Sequence, residues 1–154
     1  LLDLAAWDKG MREAEYNDQV AHSRNWLLLD RRSFKIEEPR GRIECADLLT
    51  ENGDFIHVKA MSASATLSHL FAQGTVSARL FRTVPEYRET IKSMFVEKFG
   101  KELTGGRVVF AIATERKGSI EKNLFFFSLV NLVHHKRMLD AMGWPVAVCR
   151  IERK

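Results

Sequence analysis

Arg42-Ile-Glu-Cys-Ala-Asp-Leu-Leu-Thr-Glu-Asn-Gly-Asp-Phe-Ile-His-Val-Lys59 is the stretch on which the fold turns. Asn52-Gly53 supplies what a tight hairpin turn requires, because glycine accepts positive φ without steric cost. Residues 42–50 and 55–61 on either side read as antiparallel strands. On the second, Phe55, His57 and Lys59 share one face, and Ile56, Val58 and Ala60 share the other. The expected element is a hairpin with one apolar face and one largely polar face.

Working outward, residues 11–23 read as a helix, with Glu13, Glu15 and Asp18 near its start and His22 near its end, as the helix dipole favours. Residues 26–30 form a short apolar strand, and Pro39 and Gly41 punctuate a turn over 37–41. After the hairpin, Leu67, Leu70, Phe71, Gly74, Ala78 and Phe81 recur at helical spacing over 65–81. Pro85 breaks that helix and a second follows over 86–99. Residues 108–113 are continuously apolar, as in a strand buried on both faces. Residues 124–128 suit either a strand or the start of the helix carrying 130–142; Gly143 stops that helix, and 145–151 is a last strand. This order predicts an α/β sandwich around a mixed central sheet.

The 154 residues are 45% hydrophobic, enough for one domain with a real core and incompatible with a disordered chain. The longest apolar clusters, 124–127 and 26–29, are far short of the roughly 20 residues of a membrane helix, so no membrane partner is expected. The net charge of +4 permits an anionic partner without demanding one. Cys45 and Cys149 sit in apolar stretches and read as buried thiols of a reducing, cytoplasmic compartment. The chain begins with Leu1, without Met or a signal peptide, and is expected to be the C-terminal part of a longer protein with a further domain before it.

The hairpin places Asp47 on one arm and His57 and Lys59 on the next, where they can converge. Such a set suits phosphodiester hydrolysis. A carboxylate holds a cation such as Mg²⁺ or Mn²⁺, the metal activates water, and the lysine stabilises the anionic transition state. Glu44 is a further metal candidate: it lies three residues before Asp47, and a bulge at 45–46 would bring both acids to one face. In the following helix Thr66, His69, Gln73 and Ser77 form a polar stripe, read either as phosphate and sugar contacts or as an ordinary solvated face. His134 and His135 with Lys136 and Arg137, and the loop of Arg116, Lys117 and Lys122, read as solvated basic surface, with phosphate contact as the other reading. Trp26 and Trp144 read as core.

The helix, the Asp47 strand and the His57-Val58-Lys59 strand together resemble the PD-(D/E)XK, restriction-endonuclease-like nuclease superfamily. The resemblance covers about residues 11–114. It implies a single nuclease-like domain, Glu15 as a metal ligand from the first helix, Asp47 as principal ligand, and His57-Val58-Lys59 at the (Asp/Glu)-x-Lys position. Two departures stand: Ala46 precedes Asp47 in place of the superfamily's proline, which is often absent, and His57 replaces an acid, which suits softer ions better than Mg²⁺. The stretch 55–78, above all Leu67-Ser-His-Leu-Phe-Ala-Gln-Gly74, with Glu15-Tyr16-Asn17 and Leu29-Asp30, resembles the C-terminal part of a sporadically distributed, uncharacterised bacterial family associated with mobile or defence neighbourhoods. The expectation is a metal-dependent nuclease acting on nucleic acid, DNA before RNA. The alternatives are a degenerate module that binds nucleic acid or a protein, and a purely structural domain in which His57 and Lys59 join a satisfied polar network.

Overall fold

The computed structural model describes residues 2–30, 33–35 and 42–154. A helix, α1 (Glu13–Arg24), leads into β1 (Leu27–Leu28), β2 (Ser33–Lys35), β3 (Arg42–Glu44), β4 (Leu48–Leu49) and β5 (Asp54–Ala60). Two long helices, α2 (Ser64–Thr83) and α3 (Pro85–Phe99), cross to β6 (Arg107–Thr114). The short α4 (Ile120–Asn123) and the long α5 (Phe126–Ala141) cross to β7 (Val146–Glu152). The expected turn at 37–41 lies outside the described residues. The α/β sandwich is present: a five-stranded mixed sheet in the order β1-β4-β5-β6-β7, with helices on both faces.

The hairpin forms where its turn residues direct it. Leu48 pairs with Ile56 and Leu49 with Phe55. Gly53 has φ +88° and donates to the Thr50 carbonyl at 3.0 Å, while the Asp54 amide donates to Thr50 Oγ1. The loop is therefore three residues, 51–53, closed by a left-handed glycine. β5 then runs parallel to β6, and β6 to β7, with Ala60 opposite Ala113 and Ala113 opposite Ile151. Both crossovers step the same way across the sheet and leave α2, α3 and α5 on one face, as a constant crossover hand requires.

The structure differs from the sequence expectation in three places. The strand expected over 42–50 is divided. Among the described residues β3 pairs with β2, in a separate two-stranded sheet, and β4 joins the main sheet. The polar face expected on β5 is also buried. Phe55 and His57 face a core built with Leu67, Leu70, Phe71, Ile91 and Phe110, whereas Ile56 and Val58 face a second core with Trp7, Tyr16 and Val20. A central strand covered on both sides has no solvent face to keep polar. Leu4 and Trp7, in a stretch that the sequence reads only as a lead-in to α1, belong to that second core. Trp7 stacks on Tyr16 at 4.8 Å and bridges to Arg153 beyond β7. Residues 124–128 resolve in favour of the helix start, and Cys45, Cys149 and Trp144 are buried as expected, with both thiols free.

Helix α2 lies close against the sheet at Gly74. A Cβ there would lie 2.6 Å from Phe110 Cε1, and the Phe110 ring is fully buried against Phe71. Gly74→Ala is expected to destabilise the fold by about 1–3 kcal/mol, as overpacking does, with the midpoint of urea denaturation as the measurement. An unchanged midpoint would show that α2 can move away freely.

Candidate acidic site at the carboxyl end of the parallel strands

Asp47 is built into the point where the hairpin stops pairing. Its amide donates to the Ile56 carbonyl at 2.9 Å, and its own carbonyl accepts from the amides of both Leu29 (2.9 Å) and Asp30 (3.1 Å). Its carboxylate Oδ2 accepts from the Val58 amide at 2.6 Å, taking the place of a backbone carbonyl in the ladder. The strand therefore breaks at residues 45–47. The Cys45 carbonyl, turned out of the ladder, is satisfied instead by the buried hydroxyl of Ser77, which also shares a hydrogen bond with Tyr87 Oη at 2.9 Å.

The break gathers acids. One carboxylate oxygen from each of Asp30, Glu44 and Asp47 lies within 4.8 Å of the others. Asp47 and Asp30 are half-buried and Glu44 is exposed, so the group opens to solvent on one side. Asn17, fully buried on α1, approaches Asp30 Oδ2 with its amide nitrogen at 3.4 Å, and its Oδ1 has no hydrogen-bond partner among the described residues. At the rim, Lys59 Nζ pairs with Glu13 of α1, 3.2 and 3.1 Å from its two oxygens. Burial pushes the Asp47 carboxyl up to about 7. The Val58 amide opposes that shift, and the charges of Glu13, Asp30 and Glu44 add to it.

The expected site residues divide. Asp47 and Glu44 meet, through an irregular stretch at the position of the anticipated bulge, and Lys59 stands at their edge. His57 does not join them. Its ring is 5% exposed and 5.9 Å from Phe110, in a small cavity shared with Cys45, Ser77 and Trp144, and burial lowers its pKa to about 4. It is a neutral core imidazole, as alternation along a doubly covered strand dictates. Glu15 caps α1, accepting from the Arg12 amide at 2.8 Å and pairing with the Arg12 guanidinium at 2.7 Å. It lines an open groove with Asp18 and Asp30 beside the acid group rather than within it. In the α2 stripe His69 and Gln73 are exposed, and Thr66 bonds Ser62 at 3.1 Å. Ser77 is core.

Neither Glu13 nor Asp30 is among the site residues that the sequence predicts. Both carried a signal. Glu13 lies on the helical stripe of Tyr16, Asn17, Val20 and Ala21, the buried side of α1, while Glu15 is turned away from it. Asp30 lies two residues beyond β1, where its amide bonds the Asp47 carbonyl.

A family model matches residues 2–152 of this chain, described as a family of unknown function (DUF6119). The chain belongs to the DUF6119 family. No curated protein matches the chain, and no solved structure does. The match covers both cores and every residue of the acid group, so this group is part of the matched DUF6119 domain rather than of an appended segment. No helix among the described residues is long and apolar enough to cross a membrane.

The raised pKa of Asp47 gives a stability prediction. Its folded value lies above the ordinary carboxylate value, so between about pH 4 and 7 the folded state holds more protons than the unfolded chain, and ionisation costs stability as pH rises. Asp47→Asn keeps an oxygen for the Val58 amide and removes the charge. It is expected to raise Tm at about pH 8 and to change it little at about pH 5, where Asp47 is already protonated. A lowered Tm at both pH values would mean that the ionised carboxylate holds the break together.

Proposed function

We propose that this DUF6119 domain is a divalent-metal-dependent phosphodiester hydrolase acting on nucleic acid, DNA first. The supporting observation is the convergence of Asp30, Glu44 and Asp47 to within 4.8 Å, with Lys59 at the rim. Carboxylate oxygens in this number suit hard cations such as Mg²⁺ or Mn²⁺. Asp30, Asp47 and Glu44 would hold the ion; bound there, it would supply Lewis acidity and neutralise phosphate charge. The buried Asn17 Oδ1 beside Asp30 fits a site that takes water, since buried acceptors of this kind ordinarily take a hydrogen bond from it.

The chain's own groups have separable roles. Asp47 must lose its proton before it can act as a ligand, so affinity for the ion rises with pH until about 7 and levels off above it. Glu13 holds Lys59 at the mouth of the group; exchange of that ion pair for a phosphate oxygen would place the ammonium on the scissile group. The site lies outside the carboxyl ends of the parallel strands, the usual place for ligands in open α/β sheets.

A second reading is favoured by His57. The (Asp/Glu)-x-Lys position carries a neutral, buried imidazole, which fits a nuclease-like module that has lost catalysis and binds nucleic acid without metal. One experiment separates the two. Labelled single- and double-stranded DNA and RNA are incubated with Mg²⁺ or Mn²⁺, with wild type, Asp47→Ala, Asp30→Ala and Lys59→Ala. The hydrolase reading expects cleavage that falls at least about 100-fold in each variant, the scale of losing one electrostatic stabiliser. Cleavage equal in all four proteins, or absent with both metals, overturns it. Binding that then survives EDTA would leave the module.

A further inference from the structure

Two phenylalanines stand almost fully in solvent at the start of α5. Phe126 is 73% exposed and Phe127 76%, with their rings 5.7 Å apart and edge to face. Val130, one turn on, is 53% exposed. Residues of this size and exposure need an explanation, because one alone is unremarkable but a contiguous patch marks a binding surface.

Their position is fixed by the topology. α2 and α5 both leave the carboxyl end of a parallel strand and run back along the same sheet face. Thr75 Oγ1 meets His135 Nδ1 at 2.7 Å, and Arg82 Nη2 meets the Gly143 carbonyl at 3.4 Å. These offsets of about 60 residues align the helices side by side and set Phe126 level with Thr66 in the first turn of α2. Since Ala60 pairs opposite Ala113, the chain leaves β5 and β6 at the same sheet end. The aromatic pair and the acid group therefore share one edge of the molecule.

The connection that leads into the pair is cationic and ordered. Lys117 and Lys122 are exposed in the connection before α5 and make no ion pair among the described residues. Arg116 lies 5.0 Å over the Phe125 ring. Glu121 is the acid among them, and Glu115 is paired to Lys9 at 3.1 Å. The connection is held in shape. Asn123 Nδ2 donates to the carbonyls of Lys117 (3.0 Å) and Ser119 (2.9 Å), and Arg150 Nε donates to the Arg116 carbonyl (2.8 Å). Protein–protein interface centres are depleted in lysine. Exposed aromatic rings framed by lysine and arginine are instead the pattern of single-stranded nucleic-acid binding, in which bases stack on the rings and cations follow the phosphates.

We infer that Phe126 and Phe127, with Lys117 and Lys122, form a stacking platform for an unpaired nucleic-acid strand leading to the acid group. The inference rests on the hydrolase reading for the strand's fate, not for its binding, and binding is tested without catalysis. Fluorescence anisotropy is read on an oligo-dT strand and on a duplex of equal length, in EDTA and over a salt series, with wild type, Phe126→Ala, Phe127→Ala and Lys117→Ala/Lys122→Ala. The single strand is expected to bind more tightly than the duplex. Each phenylalanine substitution should weaken it roughly tenfold, the scale of one lost stack, and the lysine pair should flatten the salt dependence. Both rings are exposed, so these variants keep their fold, with circular dichroism as the control. Equal binding of duplex and single strand overturns the inference. So does sedimentation showing that the phenylalanine variants abolish self-association while leaving oligonucleotide binding unchanged. Phenylalanine-dependent binding without cleavage under any metal supports the platform and overturns the hydrolase reading alone.

Discussion

The hydrogen bond from the Val58 amide to the Asp47 carboxylate decides where the central hairpin ceases to be a sheet. A carboxylate that occupies a ladder position removes the next carbonyl of its own strand from pairing, so β4 is only two residues long. The freed backbone has to be satisfied elsewhere. Asp47 itself accepts from Leu29 and Asp30, and the Cys45 carbonyl accepts from Ser77 of α2. These secondary bonds bring the end of β1 and the end of β3 to the same place. Asp30 and Glu44 meet Asp47 because the backbone around a broken ladder converges, not because the acids attract.

Indeed they repel. Two unit charges 4.8 Å apart cost about 3 kcal/mol at an effective dielectric near 20. Burial raises the Asp47 pKa before any neighbour is counted, and Glu13, Asp30 and Glu44 raise it further. The single Val58 amide offsets only part of this. Lys59 relieves little, because Glu13 already neutralises it. A fold that keeps three carboxylates together against this cost gives up stability as pH rises toward about 7.

Much of this fold was legible. Asn52-Gly53 marked the hairpin, the stripe from Leu67 to Phe81 marked α2, and the apolar run over 108–113 marked the buried strand β6. These signals are local, and tertiary contacts reinforce them. The site was legible only in part. Asp47, Glu44 and Lys59 were found by spacing along one hairpin. His57 was misplaced because alternation tells which residues share a face but not whether a helix covers it; α2 does, so His57 went into the core. Glu15 was preferred over Glu13, although two helical residues apart is a turn of about 200°, and only Glu13 faces the sheet with Tyr16 and Asn17. Asp30 came from a strand whose partner could not be known before the sheet order was. The exposure of Phe126 and Phe127 was hidden too, since residues 124–128 suit either a strand or a helix start in sequence, and the two rings become solvent-facing only once Ser128, Leu132 and Leu139 fix the buried side of α5.

The net charge of +4 says nothing of this arrangement. Among the described residues, the acid group lies around β4 and β5, and Lys117 and Lys122, without an ion pair, lie in the connection from β6. A phosphodiester approaching the acid group alone would meet repulsion from its ionised carboxylates, with Lys59 already paired to Glu13. On the hydrolase reading, positive charge would arrive with it as a metal ion among the carboxylates, and among the described residues Lys117 and Lys122 offer a second source in the connection from β6. The two sources act at different ranges. Exposed lysines attract a strand across roughly a Debye length of 8–10 Å, whereas an ion coordinated by carboxylates acts only on the phosphate in contact with it. On the hydrolase reading, the same edge thus separates capture of the strand from chemistry on it, and the sheet sets the two side by side because β5 and β6 run parallel.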